Sequence, residues 1–302
     1  MPDKLHIAII GGGAAGFFAA IAAKKKLPEA DVTIFEKNRK VLAKVEVTGG
    51  GRCNLTNSFK GISDLRHVYP RGHKLMKRLF KSFDYNDCFE WFEKNGVPLV
   101  VQEDECVFPQ SQDSHSIINC LVQITEMADE RLQLGFCVSD PADYNGNGMQ
   151  ERKQMLFDRV AITTGGHPKV EHFSHIGGLG HKIEEPVPAL FTFHIADKAL
   201  RGLMGTVVEN AGTSVPGTKF KASGPLLVTH WGMSGPAVLK LSSHAARFLS
   251  ENNYRVRIAV NWIGESDRAV VENCVQTIVR ENPQKQLSNV RPFNLPTRLW
   301  MY

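Results

Sequence analysis

The chain lacks most of the features that would settle its class at a glance. No two of its six cysteines, at positions 53, 88, 106, 120, 137 and 274, stand at C-x-x-C spacing. That removes zinc ribbons and thioredoxin-like redox pairs. Thiols so scattered read as reduced, which places the protein in the cytoplasm. There is no internal repeat and no low-complexity tract. No sign of charge dominates: 36 Lys and Arg against 31 Asp and Glu leave a net +5. Such an excess suits anionic small ligands such as nucleotides and is too weak to argue for nucleic acid. No segment is apolar over the ~20 residues a membrane helix needs. The nearest, the uncharged stretch Ile7 to Ala23, holds six consecutive Gly or Ala residues from Gly11 to Gly16. A hydrophobic export core does not need that pattern.

What remains is ordinary soluble material. The 302 residues are 42% apolar and 22% charged, enough for two domains and a sizeable core. Leu5 to Ile10 is a short apolar run suited to a buried parallel strand. A glycine turn follows, then an Ala-rich helix from Ala14 to Lys26 whose three terminal lysines suit a helix C-terminus. Asp31 to Phe35 is a second strand, closed by Glu36, so the chain opens as a βαβ unit. Further helices are expected over His73 to Phe83, Asp87 to Asn95 and Ser114 to Leu132, the last capped by Ser114 or Asp113. In the first of these, Leu75, Met76, Leu79, Phe80 and Phe83 make one apolar face. The polar run 140–153 reads as a loop or hairpin tip, and Phe157 to Thr164 as a strand entering Gly165-Gly166. Past Pro186-Val187-Pro188, short β-type runs dominate: ALFTFHI, GTVVENA, GPLLVTHW and YRVRIAVNW. A helix from Pro236 to Leu249 interrupts them, and another covers 266–281.

Gly11-Gly12-Gly13-Ala14-Ala15-Gly16 satisfies G-x-G-x-x-G in the context that gives the pattern meaning, after a strand and at the start of a helix. Gly11 permits the tight turn, Gly13 lets backbone approach a pyrophosphate, and Gly16 lets helix pack on strand. The free N–H groups of Ala14 to Gly16 then face phosphate. Glu36, twenty residues past Gly16 at a strand end, can accept hydrogen bonds from ribose hydroxyls. An acid there favours an unphosphorylated ribose, hence FAD or NAD. Three features favour FAD. A second loop, Gly49-Gly50-Gly51-Arg52-Cys53-Asn54, follows soon after Glu36; its arginine could neutralise the pyrophosphate and its amides approach a flavin. The VAITTGG strand end returns the chain to the same sheet. A β-rich second domain comes after. From these residues alone a structural glycine turn with a solvated arginine stays open as the less favoured alternative.

The runs VTGGGRCNLTN (Val47 to Asn57), VFPQSQDSHSII (Val107 to Ile118), ITTGG (Ile162 to Gly166) and LLVTHWGMSGPAVLKLS (Leu226 to Ser242) resemble the aminoacetone-oxidase/bile-acid-reductase-like family of bacterial flavoproteins. The resemblance spans essentially the whole chain. It implies an α/β fold: an FAD-binding two-dinucleotide, Rossmann-like domain of glutathione-reductase type with an inserted β-rich, barrel-like domain and a partial helical region. The corresponding ranges are 1–186, 187–265 and 266–302. It implies cofactor contacts at Gly11, Gly13, Ala14, Ala15, Gly16, Glu36, Lys37, Gly51, Arg52, Cys53, Asn54, Thr164 and Gly165. NAD(P)H is implied as a reductant, although no separate motif for it is visible. Family members are longer and return to the FAD domain with a second glycine-rich stretch. A further segment past Tyr302 is therefore expected, and with it a truncated chain.

Other constellations carry less. Gly232-Met233-Ser234-Gly235-Pro236 fails the G-x-S-x-G pattern of a hydrolase elbow because position 236 is proline, and reads instead as a turn into a helix with proline near its start. In the resembled family this loop lies in the inserted domain, so His230 or Ser234 either faces substrate or is structural. Cys53 has no cysteine nearby to pair with, which favours a structural or cofactor-contact role. His172, His175 and His181 lack a nearby acid or cysteine cluster, so no metal site is expected. Arg66, Arg71, Lys74, Lys77, Arg78 and Lys81 accompany an apolar stripe and read as a solvated helix face. The expected partner is thus a small-molecule substrate, without nucleic acid or membrane. Two readings remain open: an FAD-dependent oxidoreductase, and a non-catalytic or degenerate nucleotide- or flavin-binding fragment.

Overall fold

The computed structural model describes residues 4–128, 131–134, 155–290 and 292–302. The expected loop at 140–153 and Cys137 lie outside the described residues. The chain divides into two compact units, Met1–Ile183 and Glu184–Tyr302.

The first unit runs β1 (His6–Ile10), α1 (Ala14–Lys26), β2 (Asp31–Glu36), α2 (Ala43–Val47), β3 (Thr56–Asn57), α3 (His73–Leu79), α4 (Tyr85–Lys94), β4 (Leu99–Val101), β5 (Cys106–Pro109), α5 (His115–Met127), β6 (Arg131–Leu134), β7 (Arg159–Ile162) and α6 (Ser174–Gly178). Four strands form a parallel sheet in the order β6-β2-β1-β7. The strand order reverses between β1 and β7. In open α/β sheets the crevice beyond the strand ends at such a reversal is where ligands bind. Apolar runs make the two central strands, β1 and β2: Ile7, Ala8, Ile9 and Val32 through Phe35 are all buried. Phe17 and Ala20 of α1, with Ile117, Cys120 and Leu121 of α5, belong to the same core. A second, antiparallel sheet has the order β3-β5-β4.

The helix expected over Ser114 to Leu132 ends at Met127, and Arg131 to Leu134 instead pair in parallel with β2, Arg131 opposite Thr33. The sheet edge, a long-range partner, overrides the local helix preference of RLQL. Of the two cap candidates, Asp113 serves: its carboxylate accepts from the His115 amide at 2.9 Å. The Ser114 hydroxyl donates elsewhere, to the Glu46 carbonyl at 3.0 Å. α3 is shorter than expected, and its apolar face is split. Met76 and Phe80 are half-buried, while Leu75 and Leu79 stay exposed.

α4 begins with a reciprocal cap. The Asp84 carboxylate accepts from Asn86 and Asp87 amides at 2.7 and 3.0 Å, and Asp87 accepts from the Asp84 amide at 2.8 Å. Asp84→Ala is expected to lower stability by about 1 kcal/mol. An unchanged urea midpoint would show that this cap contributes nothing.

The second unit runs β8 (Phe193–His194), α7 (Lys198–Arg201), β9 (Val207–Ser214), β10 (Lys221–Val228), β11 (Gly232–Ser234), α8 (Pro236–His244), α9 (Ala246–Glu251), β12 (Ala259–Asn261), α10 (Arg268–Glu281) and α11 (Thr297–Met301). Its antiparallel sheet has the order β12-β9-β10-β11-β8. Leu226, Met233, Val238 and Leu241 sit in its core. The single helix expected from Pro236 to Leu249 is two, broken at the fully buried Ala245. Of ALFTFHI only Phe193–His194 is strand, and of YRVRIAVNW only Ala259–Asn261.

The GMSGP segment is explained by close packing. A Cβ on Gly232 would stand 2.2 Å from the Phe193 carbonyl oxygen. Gly235, at φ +93°, would place one 2.7 Å from the Pro225 oxygen. Pro236 then opens α8 at a position that needs no N–H. These glycines let neighbouring strands approach; the motif does not build a nucleophile elbow.

Candidate functional site

The glycine turn lies at the C-terminal end of β1, at the point where the strand order reverses. Three elements hold it. The Gly11 amide donates to the Phe35 carbonyl at 2.8 Å, tying the turn to β2. The Thr163 hydroxyl, just past β7, reaches the carbonyl oxygens of Ile10 and Gly11, both at 3.0 Å. The Leu42 amide donates to the Gly12 carbonyl at 2.8 Å, tying in the segment that starts α2. Gly11 has φ +114°, and a Cβ there would meet the Thr163 oxygen at 2.6 Å and the Thr164 Cα at 3.1 Å. Thr164 is thereby brought against the turn.

The three motif glycines do different work. A Cβ on Gly16 would stand 2.0 Å from the Gly11 carbonyl oxygen. At Gly13 it would meet nothing within 4 Å. Gly13 is the N-cap of α1 and makes no side-chain capping bond, and the first turn carries no acid. The uncapped end of a 13-residue helix therefore looks onto open space. That geometry suits a phosphate: free amides, the positive end of the helix dipole, and no side chain in the way.

Glu36 completes the turn in a way the spacing alone does not reveal. One carboxylate oxygen accepts from the Gly12 amide at 2.9 Å; the other accepts from the Asn38 amide and side chain, both at 2.8 Å. A carboxylate has about four acceptor positions, so these three bonds fix its direction and leave capacity for a hydroxyl. One cation approaches the loop after β7. Lys44 brings its ammonium to 3.8 Å from where a Gly165 Cβ would stand. His167 is held below its ordinary pKa, first by burial and then by His172, with Lys37 contributing. Lys44 and Thr163 were missed in sequence. The signal for Thr163 was its place in the ITTGG strand end; Lys44 had none, because its approach depends on how α2 meets the loop after β7.

The second glycine loop, Thr48–Gly51, is a tight turn with Gly49, Gly50 and Gly51 in the left-handed region at φ +58°, +70° and +87°, followed by Cys53 at φ +62°. Arg52 lies over the Phe108 ring, 4.3 Å from its centre. Its guanidinium donates to the Gly49 carbonyl and to Gln112, both at 3.2 Å. Those bonds close the loop onto β5 and account for part of the donor set that sequence aimed at a pyrophosphate. Asn54 contacts the Cys106 sulfur. The Gly51 carbonyl accepts from the Ser114 amide at 2.9 Å, anchoring the loop to α5. Gly50 has open space where a Cβ would be.

Cys53 is buried in the core, and burial pushes its thiol up to about 11. At pH 8 it should react with a thiol reagent ~100-fold more slowly than an ordinary exposed cysteine. Labelling of native protein followed by peptide mapping checks this; rapid modification of Cys53 would remove it from the core. Among the described residues all five cysteines are free, and no cluster of His, Cys, Asp or Glu could hold a metal ion. No helix of the described residues is long and apolar enough to cross a membrane.

The HI0933-like protein Rossmann domain matches residues 5–183, and the HI0933-like protein barrel and H2TH domain matches residues 187–302. This chain belongs to the HI0933-like family. It is 26% identical over 309 residues to a 3-dehydro-bile acid delta(4,6)-reductase of Clostridium scindens, covering 97% of this chain and 74% of that protein. It is 27% identical over 325 residues to a ribosomal RNA dihydrouridine synthase of Escherichia coli, covering 98% of this chain and 72% of that one. The HI0933-like chain is thus α/β, a Rossmann domain followed by a barrel-containing domain.

Proposed function

We propose that this chain is an FAD-dependent oxidoreductase that reduces a carbon–carbon double bond conjugated to a carbonyl, in a small molecule, with NAD(P)H as reductant. The observation that carries the reading is the open space before Gly13, at the sheet's reversal point, facing an uncapped helix with the Glu36 carboxylate beside it. Gly13 and the amides of Ala14, Ala15 and Gly16 would hold the pyrophosphate, Glu36 the ribose hydroxyls, and Lys37 and Lys44 would balance charge. The second loop, at Gly51, Arg52, Cys53 and Asn54, would lie toward the flavin, as would Thr164 and Gly165. Bound there, FAD would supply two-electron chemistry, relaying a hydride equivalent from NAD(P)H to one carbon of the double bond while a proton from water completes the other. The protein's part is position and electrostatics.

The two relatives' names support the bond type. A 3-dehydro steroid with delta(4,6) unsaturation and a uridine both present a C=C bond conjugated to a carbonyl, and both names describe or yield its reduction. We place the substrate among small molecules rather than nucleic acids. Among the cations from Arg66 to Lys81, Arg66 is paired with Asp64, and the rings that accompany them, Tyr69 and Phe80, are packed against Phe59 and Tyr85. The free thiols support a cytoplasmic setting.

The test is direct. The full chain, purified or mixed with FAD, should show a visible flavin band near one FAD per chain. NADH or NADPH without oxygen should bleach it, and an enone such as 2-cyclohexen-1-one should restore it. Colourless protein that takes up no FAD sinks the reading. A flavin band that neither nucleotide bleaches would mark a binding module, and recovery only with ribosomal RNA would move the substrate class.

A further inference from the structure

The sheet of the second unit ends at β8 on one side and β12 on the other. Sequence around both edges is β-forming, yet only two residues of one run and three of the other enter the ladder. Between these two segments lies a cavity of about 420 Å³. Phe191 and His194 line it from the β8 side, Tyr254, Val256 and Ile258 from the run into β12, and Leu249 from α9. That run alternates: 254, 256 and 258 face the cavity, while Arg255 and Arg257 are exposed. The strand-like periodicity is thus spent on lining a pocket instead of closing the sheet, and barrel mouths are common ligand sites.

The lining defines its ligand. It holds no Asp, Glu, Lys or Arg, so a charged group entering it would find no counter-charge and lose its water. Phe191 and Tyr254 set two aromatic walls nearly at right angles, 77° apart with centres 5.7 Å apart. Thr192, His194 and the Tyr254 hydroxyl supply the few polar groups. Asn253 and Tyr254 are successive non-glycine residues in the left-handed region, at φ +54° and +57°. Such backbone is unfavourable and persists only where surrounding structure imposes it. Here it brings the chain off α9 and sets Tyr254, half exposed, at the rim.

We propose that this seam binds a neutral, planar ring compound carrying one hydroxyl or carbonyl. The site lies wholly within the second unit and is independent of the dinucleotide turn. The probe is 2-naphthol, titrated against the full chain with and without FAD and followed by its fluorescence. One saturable site is expected, equal in both preparations. Val256→Trp, which fills the cavity, should weaken binding at least about tenfold, and so should replacing the probe by 2-naphthalenesulfonate. Non-saturable uptake, equal binding by the variant, or equal binding of the sulfonate overturns the proposal. Should Val256→Trp fail to fold, hydrogen exchange of the wild type decides. Protection by 2-naphthol centred on 188–195 and 254–258 supports the seam, and protection only elsewhere refutes it.

Discussion

Gly16→Ala is expected to cost the first unit about 3 kcal/mol or more, at the upper end of what overpacking does. The added methyl would stand 2.0 Å from the Gly11 carbonyl oxygen and 3.1 Å from the Thr163 hydroxyl. The first neighbour is backbone, so no rotamer change relieves the clash. Either α1 lifts off β1 or the glycine turn deforms. Both moves disturb the core, because Phe17 is the next residue and is almost fully buried. Urea unfolding followed by far-UV dichroism measures the loss. A variant within about 0.5 kcal/mol of wild type would mean that helix and strand pack less closely here than the structure shows.

Gly13→Leu should do the opposite: leave the fold and remove the cofactor. Its backbone, at φ −91° and ψ −175°, is one any residue adopts. A Cβ there meets nothing within 4 Å. The expected stability cost is the loss of a good N-cap, about 1 kcal/mol. The leucine side chain would occupy the space where phosphate meets the first-turn amides. FAD affinity should fall at least ~100-fold, on the order of 3 kcal/mol. Fluorescence titration of FAD against both variants gives the answer. Undiminished flavin binding by Gly13→Leu would mean that the pyrophosphate is not held at this turn. The pair separates two roles that one sequence pattern assigns to identical residues.

How much of this was legible beforehand differs by element. α1 occupies its expected bounds, because its start is set by the glycine turn and its end by Lys24 to Lys26 and a following proline. β1 and β2 read correctly because strands buried on both faces are continuously apolar. β6 did not, since RLQL carries no strand pattern and becomes one only by pairing with β2. The long β-type runs of the second unit overstated its ladder for a related reason: alternation marks a face that is buried, whether against a sheet or around a cavity. The turn between β1 and α1 and the place of Glu36 at the end of β2 were readable from spacing. The bond from the Gly12 amide to Glu36, the engagement of Arg52 with Phe108 and Gln112, and the approach of Lys44 were not. Each depends on two segments meeting in space.

The Thr163 hydroxyl reaches the Ile10 carbonyl across 153 positions of sequence. On a ribosome, β1, the glycine turn and β2 emerge early and can pair at once, but β7 and Thr163 arrive only after more than half of the 302 residues have been made. Until then β1 has a bare edge, and nothing braces the turn from that side. A nascent chain shorter than this holds the whole glycine signature and still lacks the hydroxyl that braces its turn. Completion of the turn is therefore timed by a threonine far from its glycines.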